Sequence, residues 1–365
     1  MPAIRLALRF LATAALAGCA SAPPPAPPTP AQLAEQRGRE RRAAETRLAQ
    51  EIRLARVAEP LLRAAAPLCG DAVRPRLGML VLHGSAFPES AREAAGALGY
   101  GDALRVAYVA PGLPAERAGL KVGDRIVGLD DTHLAAGSMA LVDFDGLLGR
   151  LYITGATSTV RLSYMRGGGG IVRTEVPLEP ACAVDVLLLE SNDPLTFTEG
   201  AAAYVTTGMM RFATDDEALG VVLAHEIAHA ALRHATEKKR DMSVGGFFGA
   251  LAGVAATTRG VEEEGVRAPL EPGALFYAPD AESDADHVAL YVLALADQAL
   301  TTVPAWWRAI GRQDAKTMGF AATHPVDADR LQRLERTIEE IRQKRLLGEE
   351  ILPDPDASPR PDDAR

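Results

Sequence analysis

Residues Ala224–His234 read AHEIAHAALRH and hold three of the seven histidines in a chain of 365 residues. His225 and His229 are four apart, so on a helix they project from one face at adjacent turns. Two imidazoles so placed can hold one zinc ion, and Glu226 between them can take a proton from water. Around them TDDEALGVVLAHEIAHAALRHATEKKR reads as one helix. Thr214 and Glu217 form a capping box at its start. Leu219, Val222, Leu223 and Ile227 bury it, and Lys238, Lys239 and Arg240 suit its C-terminal end.

A catalytic zinc site needs a third protein ligand and an open fourth position. A histidine six residues past His229 would serve, but Ala235 stands there. His234 lies nine residues past His225, which at about 100° per residue puts it on the opposite face of a continuous helix; it is expected to be structural. A later helix, APDAESDADHVALYVLALA, offers Glu282 with Asp286 one turn on. A carboxylate beside a ligating histidine fixes its tautomer, which suits Asp286. The bland alternative is that Asp280, Glu282, Asp284 and Asp286 form a solvated acidic helix start.

The rest of the chain frames this segment. Apolar residues make up 48% and charged residues 24%, enough for a packed core. The net charge of -9 and the lack of a basic cluster exclude a nucleic-acid partner. MPAIRLALRFLATAALAGC has a basic start, a short apolar run and small residues before Cys19, as in a secretory signal. Leu16-Ala17-Gly18-Cys19 resembles the bacterial lipobox, which implies cleavage before Cys19 and its lipidation. Ala20 and Ser21 follow in place of an inner-membrane retention aspartate, so a periplasmic protein anchored in the outer membrane is expected. SAPPPAPPTPAQ is an extended spacer, and LPDPDASPRPDDAR a disordered tail. Cys69 and Cys182 are either a disulfide, in an oxidising compartment, or two buried thiols.

From Ala31 to about Ala66 the chain is alanine-rich and charged, with Leu48, Ile52, Ala55 and Leu62 near one helical face. Between the two cysteines the pattern turns to strands: LRVAYVAPGLPAERAGLKVGDRIVGLDD, then TSTVRLSYMRGGGGIVRTEVPLEP as a hairpin on a glycine turn. Pro114-Ala115, Ala118-Gly119-Leu120 and Gly123-Asp124-Arg125-Ile126 resemble a PDZ domain of the bacterial protease type. That resemblance implies a carboxylate-binding loop at Leu77-Gly78-Met79 and an extended peptide ligand. The loop departs from the usual Gly-Leu-Gly-Phe, so ligand preference stays open.

TTGMMRF, then DDEALGVVLAHEIAHAALRH, AESDAD and THPVDADR together resemble the CAAX-prenyl-protease-type zinc metallopeptidases, in their small periplasmic, Oma-like branch. The resemblance implies one zinc per chain held by His225, His229 and Glu282, with Glu226 as base. It also implies that His324, in Thr323-His324-Pro325 ahead of a helix bearing Arg330, acts near the zinc, either on a developing oxyanion or as a resting cap. A packed loop histidine is the alternative. The chain departs from the family at two places: Thr196-Phe197-Thr198 replaces asparagine-alanine-phenylalanine, and Ala289 replaces glycine.

The expected fold is α+β and multidomain: a mainly helical, gluzincin-type peptidase domain plus a β-rich PDZ domain. The expected order is signal 1–19, linker 20–31, N-terminal helix 32–68, PDZ domain 72–180, peptidase domain 181–347 and tail 348–365. SVGGFFGALAGVAATT, residues 243–258, is too short to span a membrane and reads as a packed hairpin or a mobile, membrane-touching element. Trp306 and Trp307 read as core. The function implied is quality-control cleavage of envelope proteins, with protein or peptide substrates presented by the PDZ domain. A chaperone-like adaptor with a silent or autoinhibited metal site is the other reading.

Overall fold

The computed structural model describes residues 28–154, 158–234, 277–313 and 319–354. Cys19 with its signal, most of the spacer, Lys238–Arg240, the 243–258 run and residues 355–365 lie outside the described residues. The chain divides into two compact units, residues 1–39 and 40–365. The described part of the first opens helix α1 (Pro30–Ala64), and every other element belongs to the second.

Helix α1 departs from the single stripe expected of it. Leu48 and Ile52, with Ala44, pack against Leu82, Phe87, Tyr100 and Ala107. Leu54, Val57, Ala58, Leu61 and Leu62 enter a separate, larger core, and Ala55 is only half-buried. One helix serving two partners needs two stripes, so no single face collects its apolar residues.

Between the cysteines stand β1 (Val73–Arg76), β2 (Met79–Leu82), α2 (Arg92–Ala97), β3 (Arg105–Val109), α3 (Pro114–Arg117), β4 (Arg125–Leu129), β5 (Thr132–His133), α4 (Ala140–Thr154), β6 (Thr159–Met165), β7 (Ile171–Pro177) and β8 (Glu179–Cys182). Strands β2-β3-β4-β6-β7 form one sheet, with β5 paired to β4. Its core holds Leu77, Val106, Leu120, Ile126, Phe144, Leu162 and Val176. The Gly123-Asp124 turn is structural: buried Asp124 accepts two bonds from Arg166 and one from the Lys121 N–H. Gly78 has φ +70°, and a Cβ there would lie 2.4 Å from that of Leu113. The Leu77-Gly78-Met79 loop therefore requires its glycine and opens onto β2, an edge strand.

The chain enters and leaves this domain side by side. Strands β1 and β8 pair antiparallel, and a disulfide joins Cys69 to Cys182 with Cα atoms 5.6 Å apart.

Next come β9 (Asp185–Leu189), β10 (Thr196–Glu199) and β11 (Ala202–Thr206), in spatial order β10-β11-β9. Helices α5 (Thr207–Phe212), α6 (Asp216–Ala231), α7 (Pro279–Leu295), α8 (Val303–Gly311), α9 (Gly319–Thr323) and α10 (Ala328–Leu347) pack around a core containing Leu219, Leu223, Ile227, Tyr291 and Trp307. The expected α+β, multidomain class describes this architecture. No helix among the described residues is long and apolar enough to cross a membrane.

Three local readings are corrected. The cap of α6 is Asp215, which accepts from the Ala218 N–H at 2.7 Å, rather than Thr214. Both residue types cap well, and the carboxylate also complements the helix dipole. The helix stops at Ala231, and Arg233 leaves the helical conformation with φ +58°, so the segment up to His234 is not one continuous helix. Finally, residues 348–354 fold back rather than trail away. Gly348 ends α10 with φ +68°, Ile351 packs on the main core, and Lys344 donates to Leu352 O and Asp354. A buried ammonium needs those acceptors.

Candidate metal centre

Helix α6 carries His225, Glu226 and His229 into the interior, all at zero exposure. Helix α7 crosses it with Glu282 and Asp286, and the turn after α9 brings His324. One donor atom from each of His225, His229, Glu282 and His324 lies within 4.8 Å of every other.

Each imidazole has a polar neighbour close to Nδ1 and points Nε2 at the same space. His225 Nδ1 stands 3.0 Å from Asp286 Oδ1. His229 Nδ1 is 2.9 Å from His234 Nδ1, and His324 Nδ1 is 2.8 Å from the Thr323 hydroxyl. The Nε2 atoms of His225 and His229 are 3.0 Å apart, and each lies 3.4 Å from an oxygen of Glu282. Ligands about 2.0–2.1 Å from a tetrahedral zinc stand about 3.3–3.4 Å from one another, so the spacing fits that ion.

Two further observations fit a cation. Both Glu282 oxygens and His324 Nε2 are buried without a hydrogen bond. The buried carboxyl groups of Glu282 and Asp286 share one buried guanidinium, Arg330, and Glu226 adds a third buried carboxyl group at the border of the cluster, an acidic setting that suits a cation. Arg330 grips Asp286 through two nitrogens, at 2.6 and 3.0 Å, and contacts Glu282 Oε2 at 3.0 Å.

The titration directions follow from these neighbours. Burial alone would lower the His225 pKa, but Asp286 and Glu282 outweigh it and raise the value to about 9. Burial prevails at His229 and at His324, each pushed down to about 4. Burial opposes ionisation of Glu282 and Asp286. The charge of His324 and the rings of His225 and His229 nevertheless hold Glu282 well below the usual carboxylate range, and Arg330 with His225 lowers Asp286.

The expected site residues therefore meet: His225, His229, Glu282 and His324 share the cluster, Glu226 borders it, and Asp286 backs His225. The expected placement of His234 is corrected. The turn at Arg233 breaks the helical phase, so His234 swings back to His229 instead of occupying the opposite face. It remains outside the four-residue donor cluster.

Sequence reasoning missed four neighbours. Thr196 and Thr198, noted only as departures, bond both oxygens of Glu226 at 2.8 and 2.7 Å. Tyr277 stacks on His229 with centroids 4.1 Å apart and donates to Thr198 O. Trp307 is core as expected, but it also walls the site, under the Arg330 guanidinium at 4.0 Å and 5.2 Å from the His225 ring. The Thr-Phe-Thr alternation was the available signal, since it puts both threonines on one strand face.

A buried His-Glu-x-x-His helix completed by a carboxylate from a second helix defines a zinc metallopeptidase domain. In keeping with this, residues 172–338 match peptidase family M48 and residues 105–148 match the PDZ domain. The chain is also similar to mitochondrial metalloendopeptidase OMA1 of Schizosaccharomyces pombe (strain 972 / ATCC 24843), 26% identical over 150 residues, which cover 40% of this chain and 44% of that protein. The chain thus matches less than half the length of that relative, and its residues 172–338 and 105–148 are similar to an M48 peptidase domain and a PDZ domain.

Proposed function

We propose that the protein is a zinc-dependent endopeptidase that cleaves misfolded or unassembled envelope proteins. The observation that supports this reading best is the convergence of three Nε2 atoms and Glu282 on one buried point bordered by Glu226. His225, His229 and Glu282 would hold the metal, with His234 and Asp286 fixing the two rings from behind. Zinc, when bound, acidifies water and polarises a carbonyl, so that peptide hydrolysis proceeds near neutral pH. Glu226 accepts the proton that water loses and returns it to the departing amine. Buried Trp307 and Phe320 help keep bulk water from the centre.

His324 supports a second reading. Its Nε2 is a fourth donor in the cluster, 3.4 Å from Glu226 Oε1, and four protein donors close a zinc site. A resting, self-capped enzyme follows, in which His324 withdraws when substrate arrives; held permanently, the same geometry gives a silent adaptor. For the PDZ domain, the position of β2 at the edge of its sheet among the described residues, beside Leu77-Gly78-Met79, suits addition of an extended substrate segment. Lipidation at Cys19 and a periplasmic, outer-membrane location complete the proposal, in keeping with the Cys69–Cys182 bridge.

The test measures bound zinc and casein cleavage in parallel, for the full chain and for Glu226→Gln. The proposal expects one zinc in both and cleavage by the parent alone. Zinc in both with cleavage by neither would favour the adaptor. No zinc in either would overturn the site assignment.

A further inference from the structure

The carboxyl group of Glu226 is fully buried, and among the described residues its hydrogen bonds are not made to a guanidinium. Arg330 is engaged by Asp286, Glu282 and Pro325 O. What Glu226 has instead is a pair of neutral hydroxyls: Thr196 donates to Oε1 at 2.8 Å and Thr198 to Oε2 at 2.7 Å. Both threonines lie in β10, two residues apart, at 0 and 6% exposure. Phe197 between them points the other way and stacks on Tyr204.

We infer that Thr196 and Thr198 are positioning residues for the general base, holding the Glu226 carboxyl plane in its working orientation; this rests on the peptidase reading above. The last side-chain torsion of a glutamate is soft, with broad wells instead of sharp rotamers. One hydroxyl on each oxygen removes that freedom, because turning the plane breaks both bonds at once. The strand is itself fixed. β10 pairs with β11 through Thr196↔Val205 and Thr198↔Ala203. Tyr277 holds the outer side of the same residue through Thr198 O at 2.9 Å.

The choice of hydroxyls has a chemical consequence. A guanidinium on Glu226 would hold it ionised and blunt it as a proton acceptor. A hydroxyl orients the carboxylate without a charge, and it can turn to accept when the carboxyl becomes protonated. The centre thus divides its partners: the guanidinium of Arg330 contacts Glu282 and Asp286, and the hydroxyls hold Glu226.

Valine replaces a threonine hydroxyl with a methyl at nearly constant volume, so the test is Thr196→Val, Thr198→Val and the pair, in the full chain on casein. Expected is a fall in kcat of about tenfold for each and on the order of a hundredfold together, within what a positioned base supplies, with KM and bound zinc unchanged. Thr196→Ser and Thr198→Ser, which keep the hydroxyl, are expected to retain parental kcat. Should a valine variant lose zinc through overpacking, the alanine variants carry the same expectation without added bulk. Parental kcat in the variants that lack the hydroxyl would overturn the inference. So would serine variants as impaired as the valine ones, since packing by the methyl would then be the cause. An inactive parent would instead overturn the peptidase reading, whatever the threonine variants do.

Discussion

His234 shows how much one side chain can contribute without touching the reacting atoms. Its Nδ1 meets that of His229 at 2.9 Å, the position where a carboxylate or carbonyl usually fixes the tautomer of a zinc-binding histidine. Loss of such a partner typically costs about ten- to a hundredfold in metal affinity. His234→Ala is therefore expected to weaken zinc binding by that factor in a chelator competition, with the fold intact by circular dichroism; unchanged affinity would reduce His234 to packing. His324 poses the opposite case, because it completes the donor set instead of supporting a donor. If it caps the resting centre, His324→Ala raises casein cleavage while zinc stays bound. If it stabilises developing charge, the same change lowers cleavage by about a hundredfold or more, as for a lost oxyanion donor.

Between elements, the contact that seats α1 on the peptidase core is Arg53. Its guanidinium reaches Asp216 at the start of α6 and the carbonyls of Met210, Ala213 and Asp215 around the junction of α5 and α6. Arg53→Ala removes all four and is expected to cost about 2–3 kcal/mol, read as a lowered Tm. Asp216 links this joint to pH. Partial burial works against its ionisation, but Arg56 and Arg53 outweigh burial and lower its pKa. A carboxylate with a depressed folded-state value stabilises above its unfolded pKa of about 3.9 and loses that contribution as pH falls through the folded value. Asp216→Asn should thus melt below the parent at pH 7, with the gap closing below about pH 4. Contacts between elements also mark the limit of what was legible in the sequence. His225, His229, Glu282 and Asp286 were legible because helical periodicity fixes which residues share a face. His234 was misplaced because a left-handed arginine at position 233 leaves no mark as a glycine would. The threonines of β10 were visible as a strand, but nothing local says that their face meets Glu226, thirty residues on in the case of Thr196. The double role of α1 was hidden for the same reason, since amphipathic reading assumes a single partner.

Across the whole molecule, the PDZ domain is an insertion whose two ends are tied several times over. The β1–β8 ribbon and the disulfide close a loop with a sequence separation of 113 residues. Beside them, Glu59 of α1 holds Arg76 of β1, and Arg63 holds Glu179 of β8 at 2.9 Å. Closing so long a loop stabilises the folded state by roughly 4–5 kcal/mol if its effect falls wholly on unfolded-chain entropy. The residues of the donor cluster all lie beyond Cys182, on α6, α7 and the turn after α9, none of which carries a cysteine of the bridge. Reduction, or the paired change Cys69→Ser and Cys182→Ser, should therefore lower Tm by several degrees or more while bound zinc and casein cleavage at about 25 °C persist. Thermal melts with and without reductant, run beside a cleavage assay, separate the possibilities. A loss of cleavage with zinc retained would mean that peptide hydrolysis depends on how firmly the PDZ domain is seated. The bridge would then be part of the catalytic arrangement as well as of the fold.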